Sequence, residues 1–285
     1  MTRNIFMCAS DLSVITGHNP YKDKSEIILK YWKRHFKDDY LNTKEFMKQG
    51  NIGEKIEETH MQCLERIAKE NNLDVKDVKK GLYKCLDSKN TESLQTDKEK
   101  LISTVLKKLP EKQKIEFKES VNHITNTQFG IRNENNGVEI YKKKTGNQVE
   151  TSSKYYKEEL FIIDNEIDGH MDIWSVGGKV DGIATDSNNN QIILEIKNRV
   201  SRLFGVVKDY EKIQCYAYMY SLDIPIIHLA EILKSQKNSD MNIFPIEFDE
   251  EFWQKDIVDN INIFVDRFYD FLKDPKQKIE LLKSD

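Results

Sequence analysis

Residues 177–199 read GGKVDGIATDSNNNQIILEIKNR, a stretch in which Glu195 and Lys197 break an otherwise apolar run of Ile, Ile, Leu and Ile. A third charge, Asp181, stands behind two glycines on the other side of an Asn-rich turn. A strand that buries charge must compensate it, because an ion withdrawn from water costs several kcal/mol unless it is paired. No other stretch restricts the fold so tightly. Taking DSNNN (186–190) as the loop sets Thr185 opposite Gln191, and counting back along two antiparallel strands places Asp181 roughly opposite Glu195. Alternation then sends Ile193, Glu195 and Lys197 to one face, and Ile192, Leu194 and Ile196 to the other. Facing carboxylates repel and lose hydration, whereas a divalent cation between them reverses the sign. An ammonium beside that cation can orient a water or stabilise charge developing on a phosphate oxygen. The bare pattern E-x-K also fits an ion pair on an exposed edge strand. Asp181 at matching register, with Gly177 and Gly178 before it and Gly182 after it, favours the metal and phosphate site.

At 285 residues the chain can build one large core, or a core with a smaller helical part. Charged residues make up 32% of it while the net charge is only -4, so any grip on a polyanion depends on a local basic patch. The four cysteines (Cys8, Cys63, Cys85, Cys215) form no CxxC pair, which excludes a zinc ribbon, an iron–sulfur cluster or a secreted disulfide framework. Histidines show no HExxH spacing, so a metal would be held by carboxylates and be a hard ion, Mg²⁺ or Mn²⁺. No apolar run approaches the roughly 20 residues of a membrane span, and TRNIFMCAS after Met1 lacks the apolar stretch of a signal peptide. The expectation is an intracellular protein that is not secreted, in the cytoplasm, the nucleus or a viral factory. The richness in Lys, Asn and Ile suits an AT-rich genome such as that of a large DNA virus.

Three segments are expected. Residues 1–60 form an N-terminal helical part, with a short helix after Ser10, a stop at Gly17, a turn at His18-Asn19-Pro20 and a second, amphipathic helix. Residues 61–127, rich in Lys, Glu, Asp and Asn, show helical spacing at Leu101, Val105, Leu106 and Leu109 with a break at Pro110, and read as a helical insertion. Residues 128–285 form the catalytic core. They contain a helix ending near Gly146, strands at 159–163 and 170–175, the hairpin, a helix over 206–221, a strand in IPIIHLAEIL and a final helix. That last helix carries Trp253, Ile257, Ile261, Phe264 or Val265, Phe268 and Phe271 or Leu272 on one stripe, which is expected to be core.

GGKVDGI followed by ILEIKNR resembles the PD-(D/E)XK nuclease core, and more closely its lambda-exonuclease or YqaJ-type viral recombinase branch. The resemblance implies an α/β fold with a central mixed β-sheet flanked by helices, here with a helical insertion. It also implies two Mg²⁺ (or Mn²⁺) ions and hydrolysis of DNA phosphodiesters. Asp181 and Glu195 would bind metal, joined by the backbone carbonyl of Ile196, and Lys197 would assist the attacking water. Two departures are evident: the family's proline before the aspartate is Val180 here, and Lys179 stands where a small hydroxyl residue is often found. FGIRNENNGVEIYKKKTGNQV resembles the family's G-x-x-x-E helix, with Gly130 and Glu134 in the matching places, and Glu134 would help hold the second metal. Gly50 and Glu54 repeat the spacing without the Tyr and Thr-Gly that follow it. YEKIQCYAYMYSL is similar to the family's Gln-containing helix, with Gln214 at its characteristic position. Tyr210, Gln214 and Tyr218, spaced i, i+4, i+8, present polar tips on one face that can touch a DNA strand. Arg199 and Arg202 are candidate phosphate ligands. Arg3 lies seven residues before Ser10, as in the family's segment for a 5′-phosphate.

The expected function is therefore a Mg²⁺-dependent exonuclease acting on linear duplex DNA ends, 5′ to 3′, in recombination or repair. The resemblance further implies a single-strand annealing protein or recombinase as partner and a homo-oligomer, since a ring-shaped trimer is known in the family. Two alternatives share the residues: a structure-specific or restriction-like endonuclease, and a non-catalytic DNA-end-binding partner of a recombinase.

Overall fold

The computed structural model describes residues 1–55, 57–151, 153–235 and 239–283. It begins with strand β1 (Thr2–Cys8) and helices α1 (Ala9–Ile15), α2 (Lys24–His35) and α3 (Lys37–Gln49). Helices α4 (His60–Glu70), α5 (Val75–Leu86), α6 (Thr91–Leu106) and α7 (Glu111–Thr145) follow. Next come β2 (Gln148–Glu150), β3 (Tyr156–Asn165), β4 (His170–Gly178), β5 (Gly182–Thr185) and β6 (Gln191–Arg199). After α8 (Asp209–Leu222) stand β7 (Ile226–Lys234) and β8 (Ser239–Glu247). The remainder is α9 (Glu250–Phe252), a π-helical segment (Trp253–Val258), α10 (Asp259–Lys273) and α11 (Pro275–Leu282).

The architecture is the expected mixed α/β one, with mixed sheet between helices. Its hydrogen bonding is divided between two ladders, β1-β4-β3 and β2-β5-β6-β7-β8. Residues 179–181 lead from β4 in the first ladder to β5 in the second, so Asp181 sits at the junction. The hairpin has the expected register, Thr185 against Gln191 and Gly182 against Leu194. Its two faces go to different cores. Ile193 packs in the main core with α8 and with Ile227 and Leu229 of β7. Ile192, Leu194 and Ile196 pack with Val138 and Tyr141 of α7.

Strand β1 was not expected. Its alternation is short, with Ile5 and Met7 buried, and its pairing is parallel to β4, a partner far along the chain. Helix α8 touches α1, β3, β4, β6 and β7, and six of its apolar side chains, Ile213 to Met219 except Gln214, are buried. A helix enclosed on nearly every side shows no apolar stripe in its sequence. The final helical stretch buries Trp253, Ile257, Ile261, Phe264, Phe268 and Leu272, as expected.

The border drawn between residues 127 and 128 falls inside α7, which runs unbroken through it for 35 residues, about 52 Å. What changes near there is the packing partner. Phe117, Val121 and Phe129 belong to a satellite core with α4, α5 and α6, whereas Val138 and Tyr141 belong to the sheet. Residues before the insertion share the main core with those at the end of the chain: Tyr31 meets Phe264 and Phe268 edge-on, and the Lys55 N–H donates to the Leu282 carbonyl at 2.7 Å. The helical part is tied to the carboxyl ends of β6 and β7 as well. Gln95 donates to the Val200 carbonyl at 2.6 Å, and Thr91 to that of Lys234 at 2.9 Å.

Gly137 sets how closely α7 lies on the sheet. A Cβ there would stand 2.8 Å from methyl groups of both Ile196 and Ile232, while one at Gly130 would meet nothing within 4 Å. Gly137→Ala is therefore expected to destabilise the fold by about 1 kcal/mol or more, overpacking outweighing the gain in helix propensity of up to about 1 kcal/mol. Gly130→Ala, with the same propensity gain and open space, is expected to stabilise it by about 0.5–1 kcal/mol. Urea unfolding of the two variants compares them directly.

Candidate active site

The β5–β6 ladder ends at Gly182 and Leu194, so the N–H of Ile196 lies beyond it. The Asp181 carboxylate supplies the missing acceptor: its Oδ2 takes that N–H at 2.6 Å. In an extended strand the N–H and C=O of one residue face the same neighbour, so the Ile196 carbonyl also faces the Asp181 side. Val180, beside it, is buried in the main core and holds this segment down.

Glu195 and Lys197 project from the β6 face that packs under α8. Lys197 Nζ donates to Glu195 Oε1 at 2.8 Å and to Gln214 Oε1 at 2.9 Å. Gln214 Nε2 in turn donates to Glu195 Oε1 at 3.1 Å and to the Tyr218 hydroxyl at 2.9 Å. One amide thus fixes both the acid and the ammonium. Each acid uses a single oxygen in these contacts, Oε1 of Glu195 and Oδ2 of Asp181, which leaves the other oxygen of each open to a ligand.

Glu134 reaches the same place from α7. With Lys179, Asp181, Asn135, Thr151 and Ser153 it lines a cleft of about 180 Å³. On its other side, a hollow of about 240 Å³ is lined by Glu134, Gly130, Asn126, Lys197 and Asn198. Glu54, the competing glutamate, is ion-paired with Lys44 beside the end of the chain, where its backbone bridges to Lys283. The close approach that delivers Glu134 comes from Gly137, three residues after it, and Gly130 contributes only a carbonyl to Asn198 at 3.1 Å.

All three acids hold their protons unusually tightly. Burial pushes the Glu195 carboxyl up to about 7, with Lys197 opposing and Asp181 adding to the rise. Burial likewise raises Asp181 to about 6, against the Ile196 N–H and with help from Glu134. Glu134 is raised too, by burial and Glu195, with Lys179 and Lys197 opposing. For Lys197 burial disfavours the charge, but Glu195 outweighs it and the ammonium is held above its ordinary range. Such a cluster is short of positive charge. A hard cation would supply that charge, and the donors here, carboxylate oxygens and a backbone carbonyl, are of the type Mg²⁺ or Mn²⁺ takes. Among the described residues no three His, Cys, Asp or Glu side chains already stand close enough to enclose an ion.

Several expected residues are placed elsewhere. Arg199 lines the second hollow beside Glu134 and Lys197, but its guanidinium is engaged by protein groups. Its side chain makes a bidentate pair with Glu211 at 2.7 and 3.0 Å, reaches Glu231 at 3.1 Å, and lies over Phe204. With that guanidinium occupied, a phosphate role for Arg199 would require breaking a buried network. Arg3 and Ser10 do not meet. Arg3 is in register with Asp172 near the start of β4, where it pairs with Asp168 and Asp172 and lies over Phe36. Ser10 stands beyond Cys8, which is in register with Gly177, about 17 Å further along the strand. Each has other partners here: Arg3 the two aspartates, and Ser10 the Cys8 sulfur at 3.4 Å. Arg202 and Ser10 are exposed, and Tyr210 packs edge-on against Tyr21 at 5.9 Å on the rim of α8.

Sequence reasoning missed Glu231. It is fully buried and accepts from the Phe204 and Gly205 N–H groups at 2.9 and 2.8 Å and from Asn242 at 2.9 Å, besides Arg199. Its signal was present: an acid within the apolar strand HLAEIL, the same anomaly that marks Glu195.

A larger hollow of about 650 Å³ opens around Ser221, Asp223 and Pro225, two turns of α8 beyond Gln214 and away from the acids. No helix among the described residues is long and apolar enough to cross a membrane.

No family model matches the chain, and no curated protein matches it. Among solved structures, it is similar to an alkaline exonuclease (LHK-Exo) from Laribacter hongkongensis, with 18% identity, a TM-score of 0.38, and coverage of 68% of this chain and 88% of that one. The same enzyme in complex with dAMP gives 16% identity and a TM-score of 0.37 over the same shares. SSO0001 gives 17% identity and a TM-score of 0.34, covering 53% of this chain and 69% of that one. With TM-scores this low, none of them bears on what the site does.

The raised acids have a measurable consequence in EDTA. Unfolded, Glu195 releases its proton near its ordinary 4.5; folded, it keeps it until about 7. Between those values the native state binds more protons than the unfolded one, so this group's contribution to stability falls as pH rises. The stability of Glu195→Gln relative to the unsubstituted protein should accordingly increase from pH 4.5 to 7 and level off above it. Denaturant unfolding across that range tests this, and a constant difference would contradict the burial of an ionisable Glu195.

Proposed function

We propose that this protein is a metal-dependent deoxyribonuclease, an exonuclease that hydrolyses phosphodiesters from the ends of linear duplex DNA, 5′ to 3′. The observation that carries the reading is that Asp181, from the link between β4 and β5, and Glu134, from α7, line one cleft, while Glu195 of β6 lies near enough for each to feel its charge and is held with Lys197 by Gln214. Hydrolytic DNA cleavage needs such a set: oxygens to hold a hard cation, and a cationic side chain that is not a ligand. Asp181, Glu195 and the Ile196 carbonyl would hold Mg²⁺ or Mn²⁺, with Glu134 turning in from α7 to hold a second ion. When bound, the ions supply positive charge to the reacting phosphate and lower the proton affinity of water.

The side chains supply the rest. Lys197, fixed by two hydrogen bonds, offers its remaining proton to an attacking water or to the oxyanion that develops on phosphorus. Because Glu195 and Gln214 position it before DNA arrives, little reorganisation is needed during reaction. The Tyr218 hydroxyl, buried beneath Gln214, accepts from its Nε2 at 2.9 Å and keeps that amide from rotating away. On this reading the protein works in recombination or repair of DNA ends, alongside a strand-annealing protein or recombinase.

End-labelled linear duplexes bearing a 5′-phosphate or 5′-hydroxyl, with circular duplex as control, test the proposal in Mg²⁺ and in EDTA. Nucleotides should be released from linear DNA in Mg²⁺ only, from the 5′ end, with circles left intact. Lys197→Ala should lower the rate by at least about 100-fold while DNA affinity is retained. Cutting of circles would replace the exonuclease by an endonuclease, and binding of ends without any cleavage would make the protein a non-catalytic partner.

A further inference from the structure

Lys179 is exposed at the mouth of the cleft, next to Glu134 and Asp181, whose carboxylates feel its charge. A lysine so close to two acids ordinarily pairs with one of them. Here, among the described residues, no carboxylate lies within ion-pairing distance of its ammonium. Its backbone is nevertheless held firmly on both sides. Val180 is buried in the main core, and Gly178 packs so tightly that a Cβ there would stand 3.0 Å from the Tyr218 ring and 3.7 Å from Ala9. The chain therefore presents a free cation from a rigid support.

The walls around it are of the matching chemistry. Thr151 and Ser153 bring hydroxyls from the segment after β2, and Asn135 brings an amide from α7, all lining the same cleft of about 180 Å³. Lysine ammonium, hydroxyl and amide groups are those that contact DNA phosphates, and they position a strand without reading its sequence. Lys197 stands on the other side of Asp181 and Glu134, lining the second hollow. The acids are thus flanked by two cationic side chains, one fixed by Glu195 and Gln214 and one unpaired.

Resting on the nuclease reading above, we propose that Lys179, Thr151, Ser153 and Asn135 form a phosphate subsite that takes a backbone phosphate of the DNA strand adjacent to the one that reacts. Lys179 is a positioning residue in this arrangement: it holds the strand across the acids and does not take part in bond breaking.

The test is binding of a labelled duplex oligonucleotide in EDTA, where no cleavage occurs, at salt concentrations from about 50 to 200 mM. Lys179→Ala and Lys179→Gln should weaken binding and reduce the slope of log affinity against log salt by about one, because one phosphate contact is lost. Lys179→Arg should restore the slope, and the melting temperature of all three should match that of the unsubstituted protein. An unchanged slope and affinity in Lys179→Ala overturns the subsite, as does a slope that Lys179→Arg fails to restore. Cleavage by the unsubstituted protein in Mg²⁺ is scored separately. Its absence would remove the nuclease reading while the binding series still decides the role of Lys179, and its presence with unchanged Lys179→Ala binding would remove the subsite alone.

Discussion

Two carboxylates and an ammonium lie where a strand passes under a buried helix, and the rest of the molecule is arranged around making that tolerable. Asp181 accepts the Ile196 N–H at 2.6 Å just where the β5–β6 ladder has run out of backbone partners. This bond closes an otherwise open sheet end and fixes the acid beside Glu195. Without it a buried N–H would lose its acceptor, a loss of about 1–3 kcal/mol. Above them Gln214 satisfies Lys197 and Glu195 together, which explains why a polar side chain stands within the buried run Ile213 to Met219 of α8. The bonds do not neutralise the cluster, since its three acids all keep raised proton affinities. That residual shortage of positive charge is the physical ground on which metal-dependent chemistry is proposed.

Helix α7 connects this centre to the helical part. Its first half is the spine of a separate apolar core and its second half lies on the sheet, so one rigid element carries both Glu134 and the contacts of α4 to α6. Gly137 permits the approach, and contacts from Thr91 and Gln95 to the carboxyl ends of β7 and β6 keep the helical part beside the cleft. A buried strut completes the frame: Glu231 on β7 and Glu211 on α8 clamp Arg199 of β6 between them, so that the strand bearing Glu195 and the helix bearing Gln214 cannot slide past each other.

How far the sequence reveals this depends on whether a signal is local. The hairpin register follows from a period of two and an Asn-rich turn, both contained within residues 177–199, and Gln214 follows from its place on the next helix. The aromatic stripe of the last helix is equally local. Pairings between distant segments leave no such trace: Arg3 finds Asp172 only because β1 lies parallel to β4, and Arg199 finds Glu231 across a parallel ladder. A free arginine near a cleft and one locked between two acids look alike in one dimension. The same holds for glycines, since Gly130 and Gly137 are distinguished only by what their missing Cβ atoms would touch. Composition marked a change near residue 128, but the helix runs on through it because a change of packing partner needs no break in backbone hydrogen bonding.

The central claim is that the open oxygens of Asp181 and Glu195 share a hard cation. Crystals of the protein grown with Mn²⁺ and measured for anomalous scattering test this most directly. The account predicts a peak within about 2.0–2.3 Å of one oxygen from each acid and of the Ile196 carbonyl, lost in Asp181→Asn. Full Mn²⁺ occupancy elsewhere, with these carboxylates bonded only to protein and water, would contradict it.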